Sequence, residues 1–299
     1  MKKTAVLITT YNRKATTLQG LDSLKRAIAA VGNDHHFDIF LVDDGSTDGT
    51  YESVEHKFPE VHLYKGDGQL YWVHGMLNAW QNAVETDSYD YFLWFNDDNK
   101  LYDNALHIMY SSSEANGNQC VIAGAFCDHE GKPSYGGRDH QKVLIVPNGA
   151  YQGIDILEGN LVLVPSVVYK TVGMLNPALR HNLGDYDYGF RAQRMGVSVL
   201  LTPEYIGIND HHDDGLFKHL HEMPFKARWK MFHDKKHSPV YTYRMLKENK
   251  GMAIAVKEVV NQYLSVLFPS YYDFYQSRNN KKWLKPFMAL KKRLGKLLR

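Results

Sequence analysis

The sequence predicts an α/β fold, a mostly parallel sheet flanked by helices and followed by a C-terminal helical appendage. Apolar runs of strand length recur at 5–10, 37–42, 61–64, 89–95 and 121–126. Segments with helical spacing lie between several of these runs, and that strand-helix alternation is the pattern of a parallel sheet. The runs are continuous rather than alternating in polarity, as strands buried on both faces require.

The first strand is AVLITT at 5–10. Together with the preceding lysines it imitates a leader peptide, but the apolar run is only about seven residues and lacks a small-residue cleavage site, so a strand is expected. Thr16 to Val31 places Leu18, Leu21, Leu24 and Ile28 on one helical face. FDIFLV follows as a strand and runs into the turn VDDGSTDGT, where Gly45 lets the backbone approach a ligand and Thr47 and Asp48 cap the next helix. VHLY, the helical segment Val73 to Val84, the strand YDYFLWF, a helix over Asn104 to Ser112 and the strand VIAGAF continue the alternation.

Residues 128–155 are turn-rich and predict loops or a hairpin over one edge. ILEGNLVLVP predicts a strand pair, Ser166 an N-cap for a short helix ending at Gly173, Asp185 to Met195 a helix stopped by Gly196, and VSVLLTP a further strand. After Gly215 the chain turns aromatic, basic and helical. The expected division is therefore a catalytic domain at 1–215 and a helical region at 216–299.

A length of 299 residues with 44% hydrophobic and 13% aromatic content supports one large α/β domain plus an appendage and excludes a disordered chain. The net charge of +2 hides an asymmetry, because residues 281–299 hold eight Lys and Arg and no acid. Such an end suggests contact with an anionic surface. Cys120 and Cys127 fit no zinc or haem spacing and are expected as buried, reduced thiols. No stretch reaches the roughly 18 apolar residues of a membrane span, and the expected compartment is cytoplasmic.

Three acidic clusters follow strand-like runs or turns: Asp43-Asp44, Asp97-Asp98, and Asp185 with Asp187. In open α/β sheets ligands bind beyond the carboxyl ends of the strands. Carboxylates gathered there suit a nucleotide, a divalent cation and a nucleophile. The expectation is that residues 43, 98 and 185 converge on one cleft.

TTYNR at 9–13 followed one strand later by VDDGSTDGT at 42–50 resembles the family 2 glycosyltransferases, whose nucleotide-sugar domain has the glycosyltransferase-A fold. The resemblance covers roughly 4–215 in motif order. It implies that Thr10, Tyr11 and Asn12, with Asp43 and Asp44, hold the base and ribose of a sugar nucleotide, either aspartate making the base contact. It also implies a cation-binding Asp-x-Asp after an apolar strand. Here that motif is Asn96-Asp97-Asp98, so Asp98 becomes the first metal ligand and Asp97 a substrate contact. A hard cation such as Mn²⁺ or Mg²⁺ accepts one or two carboxylates plus phosphate oxygens, so the Asn weakens the site without abolishing it.

LGDYDYGFRAQRMG at 183–196 resembles the family's Glu-Asp-x-Asp segment, with Gly184 in place of Glu. By that resemblance Asp185 is the catalytic base, and Asp187 and Arg191 are further substrate-site residues. An N-cap at Asp185 is compatible with the same sequence. His211, with His212 behind it, is the histidine that would complete the cation site. Gly75 and Asn78 in DGQLYWVHGMLNAW resemble the donor-pocket stretch of rhamnosyltransferase-like members, and KHSPVYTYRMLKEN resembles a second stretch of that subgroup, with Met245 where it has Asn. Processive synthases carry Gln-x-x-Arg-Trp, whereas this chain has Phe225 before Arg228-Trp229.

The expected function is inverting, metal-dependent transfer of one sugar from a UDP- or dTDP-type donor to a glycan or lipid-linked acceptor in bacterial-type surface polysaccharide synthesis. The departures at Asn96 and Gly184 motivate an alternative, a catalytically degenerate sugar-nucleotide or glycan binding protein. A nucleotidyltransferase would need a Gly-rich phosphate loop near the N-terminus, and none is visible. Residues 287–299 have the apolar spacing of a basic amphipathic helix, which suits either peripheral attachment to an anionic membrane or packing on the body. No nucleic-acid motif accompanies these basic residues.

Overall fold

The structure, a computed structural model, describes residues 1–181, 183–210, 220–234 and 237–279, the last four of these by backbone alone. The chain divides into two units, Met1–His212 and Asp213–Arg299.

In the first unit, β1 (Lys2–Thr10) lies between β2 (His35–Asp43) and β4 (Tyr91–Phe95) and is parallel to both, and β3 (His62–Lys65) extends the parallel run beyond β2. Beyond β4 the directions mix. β11 (Leu161–Pro165) runs antiparallel between β4 and β6 (Val121–Cys127), β12 (Val199–Ile208) is parallel to β6, and β5 (Lys100–Leu101) closes the edge antiparallel to β12. The turn-rich span contributes β7 (Pro133–Tyr135) on β6, β9 (Gln152–Gly153) on β12, and β8 (Gly137–Arg138), which pairs with β10 (Ile156–Leu157).

Helices cover both faces because the central strands are apolar on both. On one face α1 (Lys14–Val31), α2 (Thr50–Lys57) and α4 (Ala105–Ala115) supply Leu21, Leu24, Val54, Leu106 and Met109 to a core with Val6, Ile8, Leu93 and Phe95. On the other, α3 (Tyr71–Thr86), α5 (Ser166–Val172) and α6 (Gly184–Arg194) enclose an aromatic cluster. Trp80 and Trp94 meet there with ring centroids 5.8 Å apart, and Trp94 meets Tyr188 at 4.9 Å. Fully burying side chains of this size contributes on the order of 2–3 kcal/mol each.

Two expected caps are corrected. Ser166 is the first helical residue of α5, and the N-cap position falls on the extended Pro165, which makes no side-chain capping bond. α6 begins at Gly184 behind Leu183, so Asp185 sits in the first turn with Asp187 rather than at the N-cap. Both carboxylates still meet the positive end of the helix dipole.

The sheet's directions place the candidate site. β1, β2 and β4 end at Thr10, Asp43 and Phe95, and because β11 is antiparallel, with Leu161 opposite Phe95, the loop entering β11 lies at that same edge. The second unit holds a 3-10 turn at Leu220–Glu222, then α7 (Phe225–Phe232), α8 (Pro239–Lys250), α9 (Met252–Leu267) and α10 (Pro269–Asn279). Ser238 caps α8 by accepting from the Val240 N–H, and Gly251, with φ of 93°, makes the reversal into α9. Phe232, Met245, Ala255 and Val266 are buried within it. Arg228 donates to the carbonyls of Leu220, Met223 and Val266, closing helix ends that would otherwise be unsatisfied.

Candidate active site

The strand edge is laced together by its polar residues. The Asn12 N–H donates to Ser46 Oγ at 2.8 Å and Asn12 Oδ1 accepts from the Thr47 N–H at 2.7 Å, latching the loop after β1 to the turn after β2. Asn12 holds φ of 50°, a left-handed conformation that asparagine tolerates better than most residues. Tyr11 stands outward, 52% exposed. The two aspartates of the turn differ in use. Asp44 accepts from three amides, Gly68 and Leu70 at Oδ1 (2.9 and 3.1 Å) and Tyr71 at Oδ2 (2.9 Å). Asp43 accepts from the Ser46 N–H through Oδ1, while its buried Oδ2 has no hydrogen-bond partner among the described residues.

After β4, Asp97 is almost fully buried and saturated. Thr10 Oγ1 and Thr17 Oγ1 donate to its Oδ2 at 2.7 and 2.8 Å, and Arg13 Nη1 reaches Oδ1 at 2.7 Å. Burial pushes this carboxyl upward and the Arg13 charge opposes the shift. α1 presses on the same turn, where a Cβ at Gly20 would lie 2.3 Å from the Asp97 carbonyl oxygen. Asp98 points instead to a cavity of about 160 Å³ lined with Arg13, Lys100, His129, Asn209 and Asp210. Its Oδ1 accepts from Asn209 Nδ2 at 3.0 Å, and Arg13 Nη2 lies 3.2 Å from its Oδ2. Asn96 Oδ1 accepts from Trp72 Nε1 at 2.8 Å.

Asp185 joins this edge from α6. Its Oδ2 accepts from the Gly159 N–H at 2.9 Å, and the next residue, Asn160, accepts from the Asn96 N–H at 2.9 Å and from Asn99 Nδ2 at 2.6 Å. Burial pushes the Asp185 carboxyl up to about 6; the amides of Gly159 and Tyr186 oppose this, and the nearby Glu158 charge adds to it. Glu158 is itself held by Arg138 Nε at 2.6 Å and the Gly136 N–H at 3.1 Å. Gly184 has a steric reason: a Cβ there would sit 2.5 Å from Val73 Cγ2.

Thr10, the register partner of Asp43, thus donates to Asp97, and Arg13 joins Asp97 to Asp98. Gly159-Asn160 joins Asp185 to Asn96 and Asn99 of the same turn. Other expected residues lie apart from these contacts. Asp187 is buried in an ion pair with Arg191, 2.8 Å, and Arg191 also donates to the carbonyls of Val172 and Met174, so the pair braces α6 against the end of α5. Gly75 packs α3 on β1, where a Cβ would come 2.1 Å from Thr9 Oγ1, and Asn78 accepts from Asn82 within α3. His211 and His212 lie outside the described residues. Among the described residues no three His, Cys, Asp or Glu side chains are grouped as metal ligands. Arg13, Trp72, Glu158 and Asn209 were not singled out from the sequence; only Arg13 had a signal, adjacency to the Thr-Tyr-Asn pattern.

A mixed sheet with helices on both faces and carboxylates gathered at one strand edge is the glycosyltransferase-A architecture. The family model described as glycosyl transferase family 2 matches residues 5–166, and the chain belongs to that family. It is a glycosyltransferase. No curated protein matches it in sequence. In fold it is similar to the mannosyltransferase PcManGT from Pyrobaculum calidifontis in complex with GDP-Man and Mn²⁺, with a TM-score of 0.52 and 14% identity over 97% of this chain and 83% of that one. It is also similar to S. aureus TarS 1-349 in complex with UDP-GlcNAc, with a TM-score of 0.52 and 13% identity over 89% and 73% of the two chains. No described helix is long and apolar enough to cross a membrane.

Proposed function

We propose that this chain inverts the anomeric centre of a nucleotide sugar, of UDP or dTDP type, while transferring one sugar to a hydroxyl of a glycan or lipid-linked acceptor of a bacterial-type surface polysaccharide. The observation that carries the reading is the hydrogen-bonded continuity of Asp185 with the Asn96-Asp97-Asp98 turn. Asp185 takes the proton from the acceptor hydroxyl, whose oxygen bonds to the anomeric carbon as the bond to the diphosphate oxygen breaks. Its pKa of about 6 leaves it ionised at neutral pH yet close enough to that pH to hold a proton effectively. The unpartnered Asp43 Oδ2 makes Asp43 the base or ribose contact, because Asp44 is committed to three amides. Neighbours in fold that hold UDP-GlcNAc and GDP-Man support a nucleotide-sugar donor.

Of the described residues, Asp98 is the carboxylate that a hard cation would use. Asp98 is a carboxylate facing a polar cavity with Asp210 and His129 on its wall, and Mn²⁺ or Mg²⁺ needs one or two carboxylates when phosphate oxygens and water complete its shell. Asp98, with His211, would hold it, and the ion would neutralise charge on the departing diphosphate. The residues act around it. Arg13 and Lys100 keep positive charge on the cavity wall, and Asn209 fixes the Asp98 carboxylate.

A binding protein without catalysis is the second reading, favoured by Asn96, whose side-chain oxygen is taken by Trp72. A thermal-shift panel of UDP-, dTDP- and GDP-sugars with and without Mn²⁺ identifies the donor, since a ligand of the folded state raises its stability with occupancy. Turnover of the stabilising donor then separates enzyme from binder. Stabilisation without metal-dependent turnover, even with a panel of glycan acceptors, would overturn the enzyme reading.

A further inference from the structure

α9 is built inside out. Its inward arc consists of Ala255, Asn261, Ser265 and Val266, all buried, and two of these four are polar. Asn261 Oδ1 accepts from the Tyr271 hydroxyl and Ser265 Oγ donates to the Asn261 carbonyl, while the buried Asn261 Nδ2 has no hydrogen-bond partner among the described residues. The outward arc carries Met252, Val256, Val260 and Leu267, which are 62%, 47%, 48% and 39% exposed. At 100° per residue these four fall within about 80° of arc; Tyr263 on the same arc is covered by Trp229, Phe232 and His233, so the exposed apolar face is formed by Met252, Val256 and Val260, with Leu267 beyond that contact. Phe268, at 62%, extends it past the helix end. A stripe of this length left in water marks an interaction surface.

Charge indicates what covers it. Residues 213–280 hold 11 Lys and Arg against 7 Asp and Glu, and residues 281–299 add eight more Lys and Arg, whereas residues 1–212 hold 16 against 26. In the described part of the second unit, Lys257 borders the stripe, and α7 and α8, which pack on α9, expose Lys226, Lys230, Arg244, Lys247 and Lys250. A second copy would bring two net-positive surfaces together. An apolar stripe on a net-positive unit instead matches a surface that is apolar below and anionic at its rim.

We propose that the second unit docks on an anionic lipid leaflet, with the α9 stripe inserted between acyl chains and the flanking lysines at the headgroups. Attachment then resides in the folded body and does not depend on residues 281–299. The proposal is independent of the donor sugar and of Asp185.

Co-sedimentation of the full chain with phosphatidylcholine vesicles, and with vesicles holding 30% phosphatidylglycerol, tests it. Wild type is expected to bind the anionic vesicles at least tenfold more tightly than the neutral ones. The Val256→Asp/Val260→Asp variant is expected to lose at least tenfold in that binding, with its thermal unfolding and stabilisation by donor unchanged. A full-chain variant with Trp283, Phe287 and Leu290 changed to Ser is expected to retain binding that the α9 changes then remove. Wild-type vesicle binding by the α9 variant overturns the proposal. So does a wild-type dimer in analytical ultracentrifugation that the α9 changes dissolve, because the stripe would then belong to a second copy.

Discussion

Arg13 and Asp97 form an ion pair at 2.7 Å across 84 residues of sequence, and the same guanidinium reaches Asp98 at 3.2 Å. The pair is lopsided, since the Arg13 side chain is 41% exposed and that of Asp97 only 4%. Removing the arginine therefore leaves a buried carboxylate without its countercharge.

Arg13→Gln should destabilise the protein by about 1–3 kcal/mol, below the cost of breaking a fully buried pair because water reaches the guanidinium. Adding Asp97→Asn should recover much of that loss. Urea unfolding of the wild type, both single variants and the double variant gives the coupling energy, and simple additivity would show that the pair contributes nothing.

Asp185→Asn should lower kcat by about 10²–10⁴-fold while donor binding, followed by thermal shift, stays within a factor of a few. In the wild type kcat/KM should rise through about pH 6 and level off above it, because only the ionised carboxylate accepts a proton. A flat profile from pH 5 to 7.5 would remove Asp185 from the base role.

The same residue has a stability signature of opposite sense. Its folded pKa, about 6, lies above the ordinary 3.8, so the folded state holds the proton more tightly than the unfolded chain. The cost of ionising it is absent below the lower value, grows between the two and is complete above the upper one. Asp185→Asn should therefore unfold at a higher temperature than wild type at pH 7.5, and that advantage should shrink toward pH 4. Calorimetry at the two pH values decides.

Gly184→Glu restores the residue usual in the family and should cost about 1–3 kcal/mol through overpacking against Val73. Pairing it with Val73→Ala should return part of the stability, measurable as a shift in the urea midpoint. Equal stability of wild type and the single variant would show that space does not explain this glycine.

The parallel half of the sheet was legible because strands buried on both faces are continuous apolar runs. The direction of β11 was not. Leu161–Pro165 has the same sequence character whichever way it runs, and only its pairing with Phe92 and Trp94 reveals that it returns antiparallel. β8, β9 and β10 are two residues each, too short for any periodicity. Asp43, Asp98 and Asp185 were legible as acids at strand and turn ends. Gly75, Asp187 and Arg191 matched motifs just as well, yet their contacts are those of packing and bracing, which a motif cannot distinguish. Glu158 was illegible because its importance comes from neighbours brought by the hairpin, not from its place in the chain.

The three amide bonds that Asp44 receives from residues 68–71 belong to the fold itself. The ordering entropy of the rim that would meet a nucleobase is therefore lost during folding. An incoming nucleotide then forfeits mainly its own freedom, so donor association should be fast and weakly temperature-dependent, with slower adjustment confined to the side where the acceptor enters.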